Sequence, residues 1–435
     1  MSERTGSSGC PGEVIVMNLF WYTQLTRLIL PLFFLRLWWR GRQQPGYRLH
    51  WLERLGHYPR PRTESRPLIW LHAVSVGETR AALPLLRSLA EQYPDHAFLL
   101  THTTPTGRET ARAEVPPGIQ RVYLPYDLPG AVRRFLETFT PTLGFLLETE
   151  LWPRLIHECH HRHIPLVLAN ARLSERSARR YALFPTLTRT LLNQLSLIAA
   201  QSRADAQRFE ALGAPPVELM GNLKFDAPPP CAHDAAFQQI RQMIGENRPV
   251  WIAASTREGE EELLLKHLGS LLTPPYLLVL APRHPQRFDA VAALLEEHHI
   301  PYQRRSAQRP LSAETTVLLG DSMGEMYTWY RLAQYALIGG TLLPLGGQNL
   351  LEALSVGCPV LLGPHTFNFA EASSAAVACG AARQFFTLDE LPRLVREFLE
   401  NPTLCRSMGE QGRSFVERHR GATATLLGLV RKLVH

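Results

Sequence analysis

Short apolar runs alternate with helical segments over most of the chain, and this alternation restricts the fold more than any other feature. Strands of a parallel sheet are buried on both faces and therefore read as continuous apolar runs. Their alternation with helices predicts doubly wound α/β domains, whose ligands bind at the carboxyl ends of the strands. The runs, in chain order, are PLIWLHAV, AFLLTHTT, RVYLPYD, LGFLLETE, PLVLANAR, LSLIAAQS, PVWIAAST, YLLVLAPR, TTVLLGD, YALIGGT and PVLLGPH.

The chain is long enough for two domains, and a proline cluster marks the boundary between them. Its 435 residues exceed the size of a single compact core. Pro228–Pro230 cannot lie in a helix or a central strand, which predicts a linker at 227–231. We predict Rossmann-like domains at 43–226 and 232–410 and a C-terminal helix at 411–435. Two doubly wound domains that face a cleft form the GT-B layout of glycosyltransferases, although a fold alone does not establish function.

The N-terminal region is unusually apolar. VIVMNLFWYTQLTRLILPLFFLRLWWRGR has only Arg27 and Arg36 as charges before its final cluster. About 20 apolar residues cross a bilayer as a helix, and Trp and Arg are typical of membrane interfaces. We predict a tail at 1–16 and a membrane-anchor helix at 17–42, which spans the bilayer or lies in its surface and keeps the main body cytoplasmic. The alternative is a buried first helix of the N-terminal domain.

Composition narrows the classes of partner. A formal net charge of +7 predicts anionic partners, such as phosphorylated substrates, membrane phospholipid or nucleic acid. Nucleic acid is disfavoured because the chain has no long Lys/Arg block and no zinc-finger or RRM signature. The six cysteines form no C-x-x-C pair, which is typical of reduced side chains in a cytosolic protein.

One carboxylate, Glu78, lies in the turn SVGE between the first predicted core strand and a helix. Ser75 is placed to cap that helix, and Gly77 lets a ligand approach the backbone. The helix dipole stabilises a glutamate in the first turn and is expected to lower its pKa. A functional carboxylate and a merely favourable N-terminal charge both fit this pattern.

Two more acids, Glu148 and Glu150, follow a hydrophobic strand and precede a helix. Alternation along the strand places both on one side, and acids at the end of a core strand are costly unless they are hydrogen-bonded or used. Lys224, in GNLKFD just before the linker, offers a cation that neutralises charge in the cleft. An exposed hinge lysine is the alternative.

The second half offers groups suited to phosphate. Arg283, His284 and Arg287 follow a predicted strand, and arginine presents a planar fork to phosphate or carboxylate. Two glycine pairs precede a helix expected to begin near Asn349, where backbone N–H groups favour an anion and Glu352 suits ribose hydroxyls. The spacing matches neither the P-loop nor G-x-G-x-x-G, which disfavours nucleotide hydrolysis and NAD binding.

Together these segments resemble one family, the 3-deoxy-D-manno-octulosonic acid (Kdo) transferases of lipopolysaccharide assembly. The similar stretches keep the family's order over nearly the whole chain after the anchor. They are SVGET, TPTGRE, YLPYDLPGAV, ETELWPRLI, IPLVLANARLSERS, GNLKFD, APRHPQRF, GDSMGEM, GGQNLLEA and GPHTFNF. The resemblance implies a GT-B enzyme on the cytoplasmic side of the inner membrane of a Gram-negative bacterium. It would transfer Kdo from CMP-Kdo to a lipid A precursor such as lipid IVA and release CMP.

The resemblance also implies roles for individual residues. Glu78 is then the proton acceptor, Glu148 and Lys224 stabilise the transition state, and no metal is expected. Where the family usually reads G-G-H-N-P-L-E, this chain has Gln348 and Leu350, and glutamine carries no proton near pH 7. The alternatives are another GT-B enzyme that uses a UDP-sugar and a non-catalytic membrane-associated relative. For the Kdo transferase function, the resemblance implies that CMP is bound by Pro282, Arg283, Met323, Gly324, Glu325, Asn349, Leu350, Leu351 and Glu352.

Overall fold

The structure of the chain is a computed structural model. Residues 1–10 of the predicted tail lie outside the described residues, and so does the predicted linker at 227–231 apart from Ala227. The described residues are 11–42, 44–59, 65–227 and 234–434, without the side chains of 11–18 and 234–236.

The chain forms two compact units. Unit 1 comprises Met1–Ala227 and Arg420–His435, and unit 2 comprises Pro228–His419. Each unit is built on a seven-stranded sheet whose paired strands are all parallel. The prediction of two doubly wound α/β domains is therefore confirmed.

Unit 1 buries both faces of its sheet. In its first strand, Ile69 and Leu71 join one hydrophobic core, and Leu68 and Trp70 join another. This alternation is expected for a strand that is covered on both sides. The strands are β1 Leu68–His72, β2 Ala97–His102, β3 Gln120–Tyr123, β4 Leu143–Leu147, β5 Leu166–Ala171, β6 Leu197–Ala200 and β7 Glu218–Leu219, and the helices are α1 Pro11–Arg40, α2 Val76–Gln92, α3 Pro105–Glu114, α4 Pro129–Phe139, α5 Pro153–His161, α6 Glu175–Tyr181, α7 Pro185–Gln194 and α8 Arg203–Ala211.

Unit 2 has the same architecture. Its strands are β8 Val250–Thr256, β9 Leu277–Pro282, β10 Tyr302–Arg304, β11 Val317–Leu319, β12 Ala336–Ile338, β13 Val360–Leu362 and β14 Ala382–Gln384, and its helices are α9 Asp234–Ile244, α10 Glu260–Leu268, α11 Phe288–Glu297, α12 Met326–Leu332, α13 Leu351–Ser355, α14 Ala370–Ala378, α15 Leu391–Glu400 and α16 Pro402–Arg418. A last helix, α17 Ala422–Val430, belongs to unit 1.

Strand order places the ligand-binding edge in each unit. The sheets run β3-β2-β1-β4-β5-β6-β7 and β10-β11-β9-β8-β12-β13-β14. The order therefore reverses between β1 and β4 in unit 1 and between β8 and β12 in unit 2. Crevices at such reversals, outside the carboxyl ends of the strands, are where ligands bind in open parallel sheets.

All eleven apolar runs form strands, but three strands were not predicted. These are β7, β10 and β14, each of two or three residues at an edge of its sheet. Edge strands are covered on fewer sides and need no continuous apolar run, so YQR in β10 has no hydrophobic signature.

The prediction of a single C-terminal helix from residue 411 is wrong. Helix α16 already begins at Pro402 and ends at Arg418, and Gly421, with φ of 110°, precedes α17. The Asp226 carboxylate accepts hydrogen bonds from the N–H groups of Gly421, at 2.7 Å, and Thr423. A buried face of α17 then completes one core of unit 1.

Helix α1 packs on unit 1 along one side. Phe33 stacks on Tyr126 with ring centroids 5.4 Å apart, and Phe34 contacts Trp51 at 5.3 Å. The helix begins at Pro11, so the later part of the predicted tail is helical. None of the helices in the described part of the chain, α1 included, combines the length and the apolar composition needed to cross a membrane.

A buried carboxylate joins two strand-end loops of unit 2. Glu260 is fully buried, and its oxygens accept hydrogen bonds from the N–H groups of Gly340 at 2.7 Å, Leu342 at 2.9 Å and Arg257 at 2.9 Å. The loops that follow β8 and β12 are therefore held together by one side chain. The sequence analysis did not identify Glu260, which lies among several acids in GEEEL.

We expect Glu260→Gln to lower the free energy of unfolding by about 2 kcal/mol or more, because an amide cannot accept from all three N–H groups. Glu262→Gln, at an exposed position on the same helix, is the matched control and should change stability by less than about 0.5 kcal/mol. Urea unfolding of the full chain measures both variants. Equal losses in the two would contradict the role of Glu260.

Candidate functional site

The SVGE turn of unit 1 is a capped helix start. Ser75 caps α2 as predicted, because its hydroxyl accepts the N–H of Glu78 at 3.4 Å. The Glu78 carboxylate reaches back to accept the N–H of Val74 at 2.8 Å and the hydroxyl of Ser75 at 3.0 Å. Such reciprocal bonds satisfy the free amides of a helix start and fix the side chain. Glu78 is thus held in one orientation at the carboxyl end of β1.

Two residues at the end of β2 and just after it are hydrogen-bonded to the backbone that leads into this turn. The Nδ1–H group of His102 donates to the Ala73 carbonyl at 3.0 Å, and the Thr104 hydroxyl donates to the Val74 carbonyl at 2.8 Å. Burial lowers the pKa of His102 to about 4, so its ring is neutral at pH 7. Sequence reasoning missed both residues, because their contact with the turn depends on the pairing of β1 with β2.

Glu148 and Lys224 form an ion pair at the same edge of the sheet. Lys224 Nζ lies 2.9 Å from Glu148 Oε1, and both side chains are mostly buried. Strand β4 ends at Leu147, and Glu148 has a φ of 59°, in the left-handed region that non-glycine residues rarely adopt. Such strained residues cluster at functional sites.

Strand alternation does not determine where Glu148 and Glu150 lie, because β4 ends at Leu147, before either residue. Glu150 instead accepts the indole N–H of Trp152 at 2.8 Å. Between the two acids, the Thr149 hydroxyl donates to the Arg172 carbonyl, which ties this loop to the one after β5.

Three polar side chains fix the turn that carries Lys224, and sequence reasoning did not find them. Asn222 accepts the N–H of Lys224 at 3.0 Å, and its amide donates to Gln201 at 3.0 Å. Buried Asn170, with a φ of 52°, accepts the N–H of Leu223 at 3.0 Å. Asparagine tolerates the left-handed region better than most residues, and this tolerance is the one signal that the sequence offers.

The electrostatics of this cluster oppose the expected effect of the helix dipole. Burial, followed by the charges of Glu148 and Glu150, raises the pKa of Glu78 to about 7. The predicted lowering of this pKa is therefore wrong, because desolvation and two nearby carboxylates outweigh the dipole and the hydrogen bond from Val74. The result is a carboxylate whose protonation changes near neutral pH.

In unit 2, basic side chains gather where β8 and β9 end. Pro282 is the last residue of β9, and the N–H of Arg283 donates to the Thr256 carbonyl at 3.0 Å. Burial and the charges of Arg257, Arg283 and Arg287 lower the pKa of His284, so these arginines, here called the basic cluster, lie close to it. Arg287 is also paired with a buried acid, Glu261, at 2.7 Å.

The loop after β11 contains the predicted residues Met323, Gly324 and Glu325. Met323 is 60% exposed, and Gly324 has a φ of 83°, a conformation that suits glycine. Glu325 accepts the guanidinium of Arg305 at 3.0 Å and the hydroxyl of Ser322. Its carboxylate orientation is therefore set before any ligand binds.

The third predicted segment follows β12 and differs in part from expectation. The helix begins at Leu351, two residues later than Asn349, and is only five residues long. Asn349 accepts the N–H of Leu351 at 3.0 Å and donates to Glu352 at 3.1 Å. Leu350 and Leu351 are buried, so they offer a ligand only their backbone.

Parallel strands bring these residues to one edge within each unit. Glu78 and Glu148 follow the neighbouring strands β1 and β4, and the ion pair adds Lys224 to them. The segments after β9, β11 and β12 share the corresponding edge of the second sheet. Within the described ranges, no group of three or more His, Cys, Asp or Glu side chains is arranged to hold a metal ion.

Comparison with known proteins identifies the family. A family model described as 3-deoxy-D-manno-octulosonic-acid transferase (kdotransferase) matches residues 49–227. The 3-deoxy-D-manno-octulosonic acid transferase of Haemophilus influenzae is 39% identical over 417 residues, which cover 95% of this chain and 98% of that protein. This chain belongs to the Kdo transferase family. It is a glycosyltransferase that transfers Kdo in lipopolysaccharide biosynthesis.

Further similarities agree with this assignment. The Kdo transferase of Bordetella pertussis is 39% identical over 420 residues, 93% of this chain and 97% of that protein. A glycosyltransferase structure from Rickettsia africae matches 85% of this chain and 99% of its own at a TM-score of 0.58 and 11% identity. At that identity the likeness shows only that the two proteins have the same fold, which consists of two parallel-sheet α/β units.

We expect Glu148→Gln to lower the pKa of Glu78, because the substitution removes a nearby negative charge. We expect Lys224→Met to raise the same pKa, because the negative charge of Glu148 is then no longer offset by a cation. The carboxyl carbon of Glu78, followed by NMR against pH, measures both shifts. Glu91→Gln, at an exposed position on the same helix, is the control and should leave the titration unchanged. A titration unaffected by Glu148→Gln would contradict the coupling.

Proposed function

We propose that this Kdo transferase takes Kdo from CMP-Kdo and joins it to a hydroxyl group of a lipid A precursor such as lipid IVA, releasing CMP. The observation that carries the proposal is the cluster in unit 1, where Glu78, with a pKa of about 7, lies near the Glu148–Lys224 ion pair. A carboxylate whose pKa lies near the working pH is suited to accept a proton during the reaction. Family membership supplies the sugar, and this cluster supplies the group that activates the acceptor.

In the proposed reaction, Glu78 takes the proton of the acceptor hydroxyl while the hydroxyl oxygen bonds to the anomeric carbon of Kdo. The bond from that carbon to the phosphate oxygen of CMP breaks, and its electron pair leaves with CMP. Glu78 then returns the proton to solvent. The hydrogen bonds from Val74 and Ser75 already orient the carboxylate, so little reorganisation is needed at the moment of transfer.

Glu148 and Lys224 stabilise the transition state in this proposal. Positive charge develops on the sugar ring as the bond to CMP breaks, as in other glycosyl transfers with oxocarbenium-like transition states. The Glu148 carboxylate is suited to stabilise that charge, and Lys224 offsets the repulsion between Glu148 and the carboxylate of Kdo. The hydrogen bond from Lys224 holds the Glu148 side chain in place without the substrate.

Unit 2 is the proposed donor-binding unit, and unit 1 the acceptor-binding unit. Arg283 and the rest of the basic cluster are suited to hold the phosphate of CMP, since arginine binds phosphate through paired N–H groups. The carboxylates of Glu325 and Glu352 are suited to accept hydrogen bonds from hydroxyl or amino groups of the nucleoside. The remaining predicted residues would contribute backbone groups and shape: Pro282, Met323, Gly324, Asn349, Leu350 and Leu351.

We expect Glu78→Gln to lower kcat by about 100-fold or more, because the amide cannot accept the proton. In the unmodified protein, kcat/KM should rise with pH through about 7 as Glu78 becomes ionised, and the variant should lack this rise. Acceptor mass, followed over time with fresh CMP-Kdo and lipid IVA, measures transfer, and CMP affinity should be unchanged.

Glu91→Gln is the matched control for the same helix and should retain full transfer. Transfer that persisted in Glu78→Gln would assign the base to another residue. Use of a UDP-sugar in place of CMP-Kdo would contradict the proposed donor.

We also propose that α1 lies in the cytoplasmic surface of the inner membrane. One side of the helix packs on unit 1, and the other presents a stripe of large apolar residues at spacings of four and three, each between 56% and 77% exposed. An apolar face of this kind on a helix end rich in Trp and Arg is typical of interfacial helices. The stripe consists of Trp21, Leu25, Leu28, Leu32, Leu35 and Trp39.

We expect replacement of Leu28 and Leu32 by Asp to weaken binding to phosphatidylethanolamine–phosphatidylglycerol vesicles at least about tenfold, because two apolar side chains no longer enter the lipid. Sedimentation with vesicles measures the bound fraction. Phe386→Asp, at a residue 69% exposed in unit 2, is the control and should bind as before. Unchanged vesicle binding of the double variant would contradict membrane contact through the stripe.

A further inference from the structure

A short segment of unit 1 exposes both basic and large apolar side chains. Arg176, Arg179 and Arg180 on α6 are all exposed, and the Arg179 side chain is 85% exposed with only a 4.0 Å contact to Glu175. Directly after the helix, Leu183 and Phe184 are 73% and 66% exposed. Exposed apolar residues beside a basic group mark an interaction surface for a ligand that is both anionic and apolar.

The chain four residues before this segment is hydrogen-bonded to the proposed catalytic loop. The Thr149 hydroxyl, between Glu148 and Glu150, donates to the carbonyl of Arg172. Ser174, two residues later, caps the start of α6. At the other end of the helix, burial and then the charge of Glu150 raise the pKa of Tyr181, which places Tyr181 near that carboxylate. The chain that leads into α6 is therefore bonded to the loop that carries these acids, and the last residue of the helix is near one of them.

The same segment also adjoins α1. Helix α7 begins at Pro185, immediately after Phe184, and packs against α1. Tyr22 of α1 is hydrogen-bonded to buried Asp127, and Tyr181 is among the groups that raise the pKa of Tyr22. The chain just before the segment is thus bonded to the proposed catalytic loop, and the chain just after it contacts the proposed membrane helix.

We propose that residues 176–184 bind the acceptor glycolipid, with Arg176, Arg179 and Arg180 holding its phosphate groups and Leu183 and Phe184 contacting its acyl chains. The inference rests on the proposed function, which makes the acceptor a phosphorylated lipid. Bulk phospholipid needs no connection to Glu148 and Glu150, whereas an acceptor must present a hydroxyl group there. The bond from Thr149 to Arg172 therefore favours the acceptor as the occupant.

The test replaces Arg176, Arg179 and Arg180 together by Gln. KM for the phosphorylated acceptor in detergent micelles should rise about tenfold or more, because charge-assisted contacts to phosphate are lost, while KM for CMP-Kdo and kcat stay unchanged. The matched control replaces Arg87, Arg112 and Arg133, which are exposed on α2, α3 and α4 of the same unit, by Gln. Arg133 has a comparable 3.9 Å contact to Glu137.

Three further measurements identify what the surface recognises. With an acceptor lacking its phosphates, the unmodified protein and the triple variant should have the same KM. Replacing Leu183 and Phe184 by Ser should raise KM for the fully acylated acceptor but not for a deacylated one. Vesicle sedimentation of the arginine variant should be unchanged.

The outcomes separate this inference from the proposed function. Binding of the phosphorylated acceptor in micelles is measured directly, in addition to Kdo transfer. If the protein binds the acceptor through these arginines but transfers no Kdo, only the proposed reaction is overturned. An unchanged acceptor KM and Kd, or an equal effect in the control triple variant, would overturn the inference. Weaker vesicle binding with unchanged acceptor affinity would also overturn it and assign the surface to bulk phospholipid.

Discussion

The ion pair between Glu148 and Lys224 is the interaction on which the site of unit 1 depends. Three carboxylates gather at one strand edge, and burial together with the charge of Glu148 raises the pKa of Glu78 and of Glu150. Lys224 offsets one of these charges, and its own turn is fixed by Asn222. Removal of one partner from a mostly buried pair leaves an uncompensated charge. Glu78, Glu148 and Lys224 therefore act as one electrostatic group, in which the loss of either partner of the ion pair changes the field at Glu78.

Unit 2 uses a buried carboxylate for the opposite purpose. Glu260 directs its oxygens to backbone N–H groups of the loops after β8 and β12, among them that of Gly340 in the glycine-rich segment. Those amides are then engaged by the protein itself, and α13 is too short to add a large dipole. In the proposed reaction, recognition of a phosphate in this unit therefore falls to side chains such as Arg283.

The sequence predicts what is local, and it does not predict what depends on pairing across the sheet. Buried strands, the cap at Ser75 and the place of Glu78 in the first turn of a helix follow from patterns within a few residues of each other. The Glu148–Lys224 contact joins residues 76 positions apart, and the support from His102 crosses two strands. The pKa of Glu78 could not be predicted for the same reason. The effect of the local helix dipole can be read from the sequence, but the closeness of the other two carboxylates cannot.

The division of unit 1 between Met1–Ala227 and Arg420–His435 has a consequence for the order of folding during synthesis. Domains generally fold as units while the chain emerges from its N-terminus. All strands of unit 2 are available before Arg420–His435 is made, but one core of unit 1 lacks Ala422, Leu426 and Val430 until then. Helix α2, which carries Glu78, packs against this late segment. During synthesis, unit 1 therefore stays incomplete until the last residues of the chain have been made. Unit 2 can finish folding before unit 1 does.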